Sequence, residues 1–287
     1  LLLKKFPGAQ VAPESQYRLG VIYEEIGDYY KAFRAYRDLL QRYPQTERMS
    51  EAIEREFRIG NLFLSGKRAK VMGIGILPSG PKAIEVFKHI VEAAPYSEFG
   101  DRAQFHLGLA HKKANQFEEA IKAFQGLIDQ YPQSKHVPQA RYQIADTSYL
   151  ESVVATRDQR AIDRAGKEID QFLKHYPDAG ISDKAAKLRQ EIDEKNSEKN
   201  YRIGLFYEKE NFLDSAFIYY RDVMARYPHT VWGQRAAERL QALEKPAEFL
   251  KSQEAEVLAK KQKVLGELEA VVDSDVVVVA NVDACDA

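Results

Sequence analysis

Small and large apolar residues recur along this chain at helical spacing. Ala32, Ala83, Ala120, Ala165 and Ala216 are each followed four positions later by a large apolar residue: Tyr36, Phe87, Phe124, Ile169 and Tyr220. Residues four apart share one face of a helix, so each pair predicts a helix with one apolar side. A second set lies upstream: Leu19-Gly20, Ile59-Gly60, Leu107-Gly108, Ile144-Ala145 and Ile203-Gly204. It predicts a partner helix whose small residue permits close approach. Three positions further on, Tyr23, Phe63 and Tyr207 fill an aromatic slot that His111 and Ser148 take in the other units. Each second helix runs into a proline (Pro44, Pro95, Pro132, Pro177 or Pro228), in strings such as RYPQT, QYPQS and RYPHT. Proline has no N–H to donate and clashes with the preceding turn, so it ends the helix. Thr46, Ser97, Ser134 or Thr230 follows, placed to cap the next one.

In register, the signature is L-G-x2-Y, then A-x3-F, then P, and it resembles the tetratricopeptide repeat. That implies an all-α superhelical solenoid of about five helix pairs within 1–244, near 13–46, 53–97, 101–134, 138–179 and 182–230, then a capping helix. The spacing from the small residue of the first helix to the alanine of the second is 12 in repeats 1, 3 and 5, but 23 in repeat 2 and 20 in repeat 4. Repeats 2 and 4 therefore carry insertions. The 27 positions from Pro177 to Gly204 contain no other proline and many helix formers, so the first helix of repeat 5 is expected to be long. Residues 245–270 read as a charged helix and 271–287 as an acidic, disordered tail.

The tryptophan slot of such repeats holds Gln16, Glu56, Gln104, Arg141 and Asn200. The next slot is always aromatic: Tyr17, Phe57, Phe105, Tyr142 and Tyr201. Rings at this spacing either pack between neighbouring first helices or face the concave groove such arrays use to hold peptides. The groove reading gathers Tyr17, Glu24, Glu25, Phe57, Asn61, Arg102, Phe105, Lys112, Lys113, Tyr142, Asp146 and Tyr149. A peptide's terminal carboxylate would sit best near Arg102, Lys112 and Lys113, where charge-assisted hydrogen bonds are available.

Composition narrows the chemistry. The chain has 287 residues, with 42 Lys+Arg against 43 Asp+Glu, which gives no electrostatic case for nucleic acid or an anionic membrane surface. Its single cysteine, Cys285, cannot form an intrachain disulfide or a thiolate zinc cluster. The six histidines form no HExxH pattern, so neither a metal, a cofactor nor catalysis is expected. No apolar stretch approaches the roughly 20 residues that span a bilayer. The insertion of repeat 2, SGKRAKVMGIGILPSGP over 65–81, joins a basic cluster (Lys67, Arg68, Lys70) to an apolar glycine-rich run that includes Ile74 and Ile76. It reads as a loop that either touches a partner or lipid surface or folds back on the repeats.

The YP repeat ends, the polar fourth slot, the RDQ insertion of repeat 4 and the long charged helix after it together resemble the outer-membrane protein assembly lipoprotein family known as BamD or YfiO, over roughly 12–243. The resemblance implies a periplasmic protein, lipid-anchored to the outer membrane. It implies binding to the periplasmic domains of the barrel-assembly protein BamA, to other lipoproteins of that complex and to unfolded outer-membrane proteins. The N-terminal repeats would take the peptide. The C-terminal repeats would take the complex, through Tyr201, Leu205, Glu208, Arg221 and Arg226. No lipidation cysteine lies at this start, so any anchor is expected upstream of Leu1. The alternatives are another periplasmic interaction protein, of the Tol-Pal-associated type, or a generic peptide-binding adaptor.

Overall fold

The computed structural model describes residues 6, 8–66, 69–71, 74–77, 79–154, 159–243, 258 and 260–263, with backbone alone over 69–71 and 74–77. The helices are α1 (Ala12–Glu25), α2 (Tyr29–Arg42), α3 (Met49–Leu64), α4 (Ser79–Ala93), α5 (Gly100–Lys113), α6 (Phe117–Gln130), α7 (Val137–Val154), α8 (Gln159–His175), α9 (Ser182–Lys209) and α10 (Leu213–Arg226). A further helix, α11, covers 231–243. One hairpin, β1 (Ala69–Val71) and β2 (Ile74–Leu77), interrupts the series between α3 and α4. The fold is otherwise all-α, of the tetratricopeptide solenoid class. Two compact units form, Leu1–Ile192 and Asp193–Ala287. The boundary between them falls inside α9.

Backbone hydrogen bonds explain the recurrent YP phrase. Thr46 donates to Tyr43 O (3.0 Å), Ser97 to Ala94 O (3.1 Å), Ser134 to Tyr131 O (2.9 Å), Ala179 to Tyr176 O (3.2 Å) and Thr230 to Tyr227 O (3.1 Å). Each is a four-residue turn with proline at its second position, where the fixed φ of proline fits. The expected capping holds at Thr230, whose hydroxyl accepts from Gly233 N at 3.0 Å. Elsewhere it shifts by two residues. Thr46, Ser97 and Ser134 accept from Arg48, Phe99 and His136 N instead, ordering the turn before the helix.

In repeats 1, 3 and 5 the two helices are joined by a residue with left-handed backbone: Gly27 (φ 80°), Asn115 (φ 58°) and Asn211 (φ 64°). Each lies 17 positions before its proline. Glycine and asparagine tolerate that conformation best, and it ends one helix so that the next can fold back against it. Asp28 then caps α2 by accepting from Lys31 N at 3.2 Å.

The first unit stacks α1 to α8 in chain order, each packed on the next helix. Its core is set by one repeated contact. A Cβ added at Gly20 would lie 2.3 Å from the Tyr36 ring, at Gly60 2.7 Å from Phe87 and at Gly108 2.5 Å from Phe124. The ring of the second helix therefore lies directly on the glycine of the first. Repeat 4 keeps the volume balance with Ala145 and Ile169, both fully buried in one core cluster. In the second unit the same contact pairs Gly204 with Tyr220, 2.8 Å from an added Cβ. Burying one such side chain stabilises by about 1.5–3 kcal/mol.

The insertion of repeat 2 is not an unstructured loop. It pairs β1 with β2 antiparallel, Lys70 opposite Gly75 and Val71 opposite Ile74. Lys70, Ile74 and Ile76 thus lie on strands, while Lys67 and Arg68 are outside the described residues. So are the 271–287 tail and most of the 245–270 segment, of which 258 and 260–263 are helical.

Candidate functional site

The aromatic fifth slot is first of all a packing device. Tyr17 and Phe57 are 7% and 4% exposed, so neither offers a ring face to a peptide. This corrects their place in the groove reading. Tyr17 lies against Tyr36, and Phe57 against Phe87, Phe99 and His106. Phe105, half-buried, touches Phe124 and stacks on His136, while Tyr142 meets Phe172. Tyr142 and Tyr149 both border the core that holds Ile169 and Phe172, and burial raises both phenol pKa values.

The polar fourth slot ties the two helices of a repeat together. Gln16 Nε2 donates to Ala35 O at 2.9 Å and Gln104 Nε2 to Ala123 O at 2.8 Å, both buried. In repeat 2 the slot is Glu56, fully buried, with Oε2 2.8 Å from His89 Nδ1. Its other oxygen has no partner among the described residues. Burial pushes the Glu56 carboxyl up, against the pull of His89.

Where the large residue of the second helix is tyrosine, its hydroxyl organises a triad. Tyr36 donates to Glu24 at 2.5 Å, and Arg55 of the next repeat reaches the same carboxylate at 3.2 Å. In the second unit Tyr220 donates to Glu208 at 2.7 Å, and Arg239 pairs with Glu208. Burial, then the adjacent carboxylate, raises both tyrosines well above the ordinary range. Glu24 and Glu208, read from the sequence as contact residues, are thus committed to holding neighbouring helices. Glu25 is exposed, and Asn61 Nδ2 bonds its own helix at Phe57 O, 3.0 Å away.

The basic third repeat is less free than its sequence suggests. Lys112 pairs with Asp146 and donates to Gln143 Oε1 at 2.7 Å. The Arg102 guanidinium lies 4.5 Å from the Phe57 ring centre. Lys113 donates to Leu64 O at 2.7 Å and has no carboxylate partner among the described residues. Of the three cations, Lys112 is neutralised by Asp146, whereas Arg102, like Lys113, has no carboxylate partner among the described residues. As for Lys113, it borders a cleft of about 260 Å³, with Phe63, Leu64, Gly66, Ser79, Gly80 and Ala110 as the other walls.

The second unit carries a feature that the periodicity did not mark. Phe206, Phe212 and Leu213 are 58%, 62% and 44% exposed. Tyr207 joins the two phenylalanines into one cluster, with ring centres 5.7 Å from Phe206, 6.5 Å from Phe212 and 5.6 Å from Tyr219. Tyr201 packs against Tyr220 and Trp232, and Leu205 is half-buried. Arg221 and Arg226 are exposed, the latter paired with Asp222 at 2.8 Å. Among the described residues, no group of three acidic, histidine or cysteine side chains could hold a metal ion. No helix there is long and apolar enough to cross a membrane.

Helix pairs closed by proline turns define the class as a tetratricopeptide-repeat protein. A tetratricopeptide model matches residues 14–46. The chain belongs to the YfiO outer membrane lipoprotein family, whose model matches residues 79–262. The outer membrane protein assembly factor BamD of Caulobacter vibrioides is 28% identical over 159 residues, 55% of this chain and 52% of that protein. The match thus spans about half the length of that curated relative. Among solved structures, MamA from Desulfovibrio magneticus RS-1 (residues 41 to the end) is 20% identical. It covers 60% of this chain and 79% of its own, with TM-score 0.35. A tetratricopeptide repeat protein from Parabacteroides merdae is 12% identical, covering 84% and 88% with TM-score 0.36. At those scores the superpositions carry no argument.

Proposed function

We propose that this chain is a non-enzymatic scaffold in the assembly of β-barrel proteins into the bacterial outer membrane, acting at its periplasmic face. The second unit docks the periplasmic domains of a BamA-type barrel-assembly protein. The first unit takes extended segments of unfolded outer-membrane proteins. Family membership and the assembly-factor name of the Caulobacter relative support this reading. The observation that carries it is the Phe206–Tyr207–Phe212 cluster, inside the family-matched span. Contiguous exposed apolar patches mark interaction sites, and interface centres favour aromatic residues. Arg221 and Arg226 supply exposed cations in the same unit.

The test is a titration of the full chain with the purified periplasmic domains of the barrel-assembly protein. Replacing Phe206 and Phe212 together by Ser is expected to weaken binding about 30-fold or more, as loss of an interface anchor does. Thermal melting should stay within a few degrees of wild type, because both rings are mostly outside the core. Unchanged affinity in the double variant would remove the aromatic cluster from the interface. No binding by the wild type would remove the function.

A further inference from the structure

One ring cluster runs through three repeats of the first unit and carries two imidazoles. His106, on α5, lies against Phe57 of α3, Phe87 of α4 and its own neighbour Phe105, with ring centres 5.0, 5.4 and 5.8 Å away. His136, in the turn before α7, stacks on Phe105 at 5.5 Å. Repeats 2, 3 and 4 thus meet through these rings. His106 Nδ1 donates to Arg102 O at 2.8 Å, since a carbonyl can only accept. His136 Nε2 is buried and has no partner among the described residues. An imidazolium donates from both nitrogens, so protonated His136 would hold a buried N–H without an acceptor, a costly state. The Arg102 guanidinium lies beside the same rings, 4.5 Å from the Phe57 centre and 5.0 Å from that of Phe99. Asp101 is the carboxylate that acts on His136, and it already accepts from Ser134 Oγ at 2.5 Å and Arg102 N at 2.7 Å. Of the groups that neighbouring helices bring, Glu56 of α3 pairs with His89 of α4, and the Tyr131 phenol after α6 donates to Pro95 O at 2.9 Å. Burial is the main cause that holds both imidazoles below the usual histidine range. Arg102 adds to it at both rings, and Lys135 adds to it at His136, where Asp101 opposes it.

We propose that this cluster is an acid-sensitive joint: protonation of His106 and His136 releases the contact among repeats 2, 3 and 4, so that α5 and the start of α7 open locally while the second unit stays folded. The inference goes beyond the assembly role and stands whether or not that role does. Its sign follows from linkage. Both imidazoles are neutral in the folded chain, and their contribution is fully present above the unfolded pKa of about 6.5. It is lost as pH falls through that value and levels off below the folded one. Glu56 responds in the opposite direction, because burial pushes its carboxyl up, so a global stability curve would mask the joint. A change of histidine charge at a packed interface is the device that pH sensors use.

Hydrogen exchange of the full chain between pH 7.5 and 5.5, corrected for the intrinsic rate, tests this. Each histidine held neutral shifts a local opening constant by up to about tenfold per pH unit. Opening of the α5 amides and of the first turns of α7 is therefore expected to rise about tenfold or more on acidification, relative to α10 of the second unit. The paired variant His106→Asn with His136→Phe removes both titrating rings. Asn at 106 can keep the bond to Arg102 O, as Asn61 Nδ2 does to Phe57 O at 3.0 Å, and Phe at 136 keeps the stack on Phe105. In that variant the rise should shrink to within about threefold of α10. Chemical-shift titration of the histidine rings, assigned by the single variants, should put both midpoints below the ordinary 6.5. A wild-type rise no greater than that of α10 would overturn the joint. So would midpoints at or above 6.5 for both rings, or a rise that survives in the folded double variant. Should the double variant not fold, the ring midpoints and the wild-type exchange decide alone.

Discussion

Gly108→Ala is the sharpest probe of the packing rule that builds the repeats. A Cβ there would lie 2.5 Å from Cε1, 2.6 Å from Cδ1 and 2.7 Å from Cζ of Phe124. Carbon pairs are at rest near 3.5–4.0 Å, so the methyl enters the ring by about 1 Å. Phe124 is fully buried and cannot swing out. Overpacking of this kind costs about 1–3 kcal/mol, and the backbone contact favours the upper half of that range. Repeat 4 shows the remedy, since it has Ala145 and Ile169 at these two positions, buried in one cluster. Phe124→Ile alone should leave a small void and cost about 1–2 kcal/mol, below the roughly 3–5 kcal/mol of a full truncation to Ala. The double variant should be more stable than the sum of the two by about 1–2 kcal/mol, a normal coupling for residues in contact. Gly180→Ala, with nothing within 4 Å of the added Cβ, is the control and should change little. Urea unfolding followed by circular dichroism gives the four free energies. Hydrogen exchange of the α5 and α6 amides locates the effect should the repeats unfold separately. A Gly108→Ala cost within about 0.5 kcal/mol of the control, or an additive double variant, would refute the packing rule.

Tyr36→Phe and Tyr220→Phe should each cost about 1–2 kcal/mol by urea unfolding, because each removes a hydrogen bond to a carboxylate. Phe87→Tyr should destabilise rather than help, since the matching acceptor position in repeat 2 is Leu64 and the new hydroxyl would go unpaired. Glu56 has a folded carboxyl pushed up by burial, so its contribution to stability is fully present below the unfolded pKa of about 4.3 and is lost as pH rises. Glu56→Gln copies Gln16 and Gln104. It should exceed wild type by about 1–3 kcal/mol at pH 8, with the gap narrowing toward pH 5 in paired denaturation curves. Asn115→Gly should be tolerated and Asn115→Val should cost more than 1 kcal/mol by the same method, because its φ of 58° suits only residues that enter the left-handed region.

The proline stops and the glycine–aromatic pairs were legible because they are local: spacing alone puts Gly108 one helix away from Phe124. The reason the fourth slot is polar was not legible, since it lies in a bond from Gln16 or Gln104 across to the second helix. Nor was the left-handed joint at Asn115 and Asn211, although its constant distance from the proline was a usable signal. The groove residues were the least legible. Lys112 looks like a free cation in the sequence, yet Asp146 sits 34 positions away and neutralises it. Phe206 and Phe212 looked like ordinary aromatics of a repeat, because exposure depends on which neighbours a folded unit leaves out. The insertion was read as a loop because its glycines, Gly73 and Gly75, mask the alternation that marks a strand.

The most direct test of the assembly role is depletion of the protein in its own host, followed by measurement of folded β-barrel proteins in the outer membrane. Barrels that run at their folded position in unheated gels should fall in step with depletion, and unfolded precursors should accumulate in the periplasm. Unchanged levels of folded barrels after complete depletion would contradict the account.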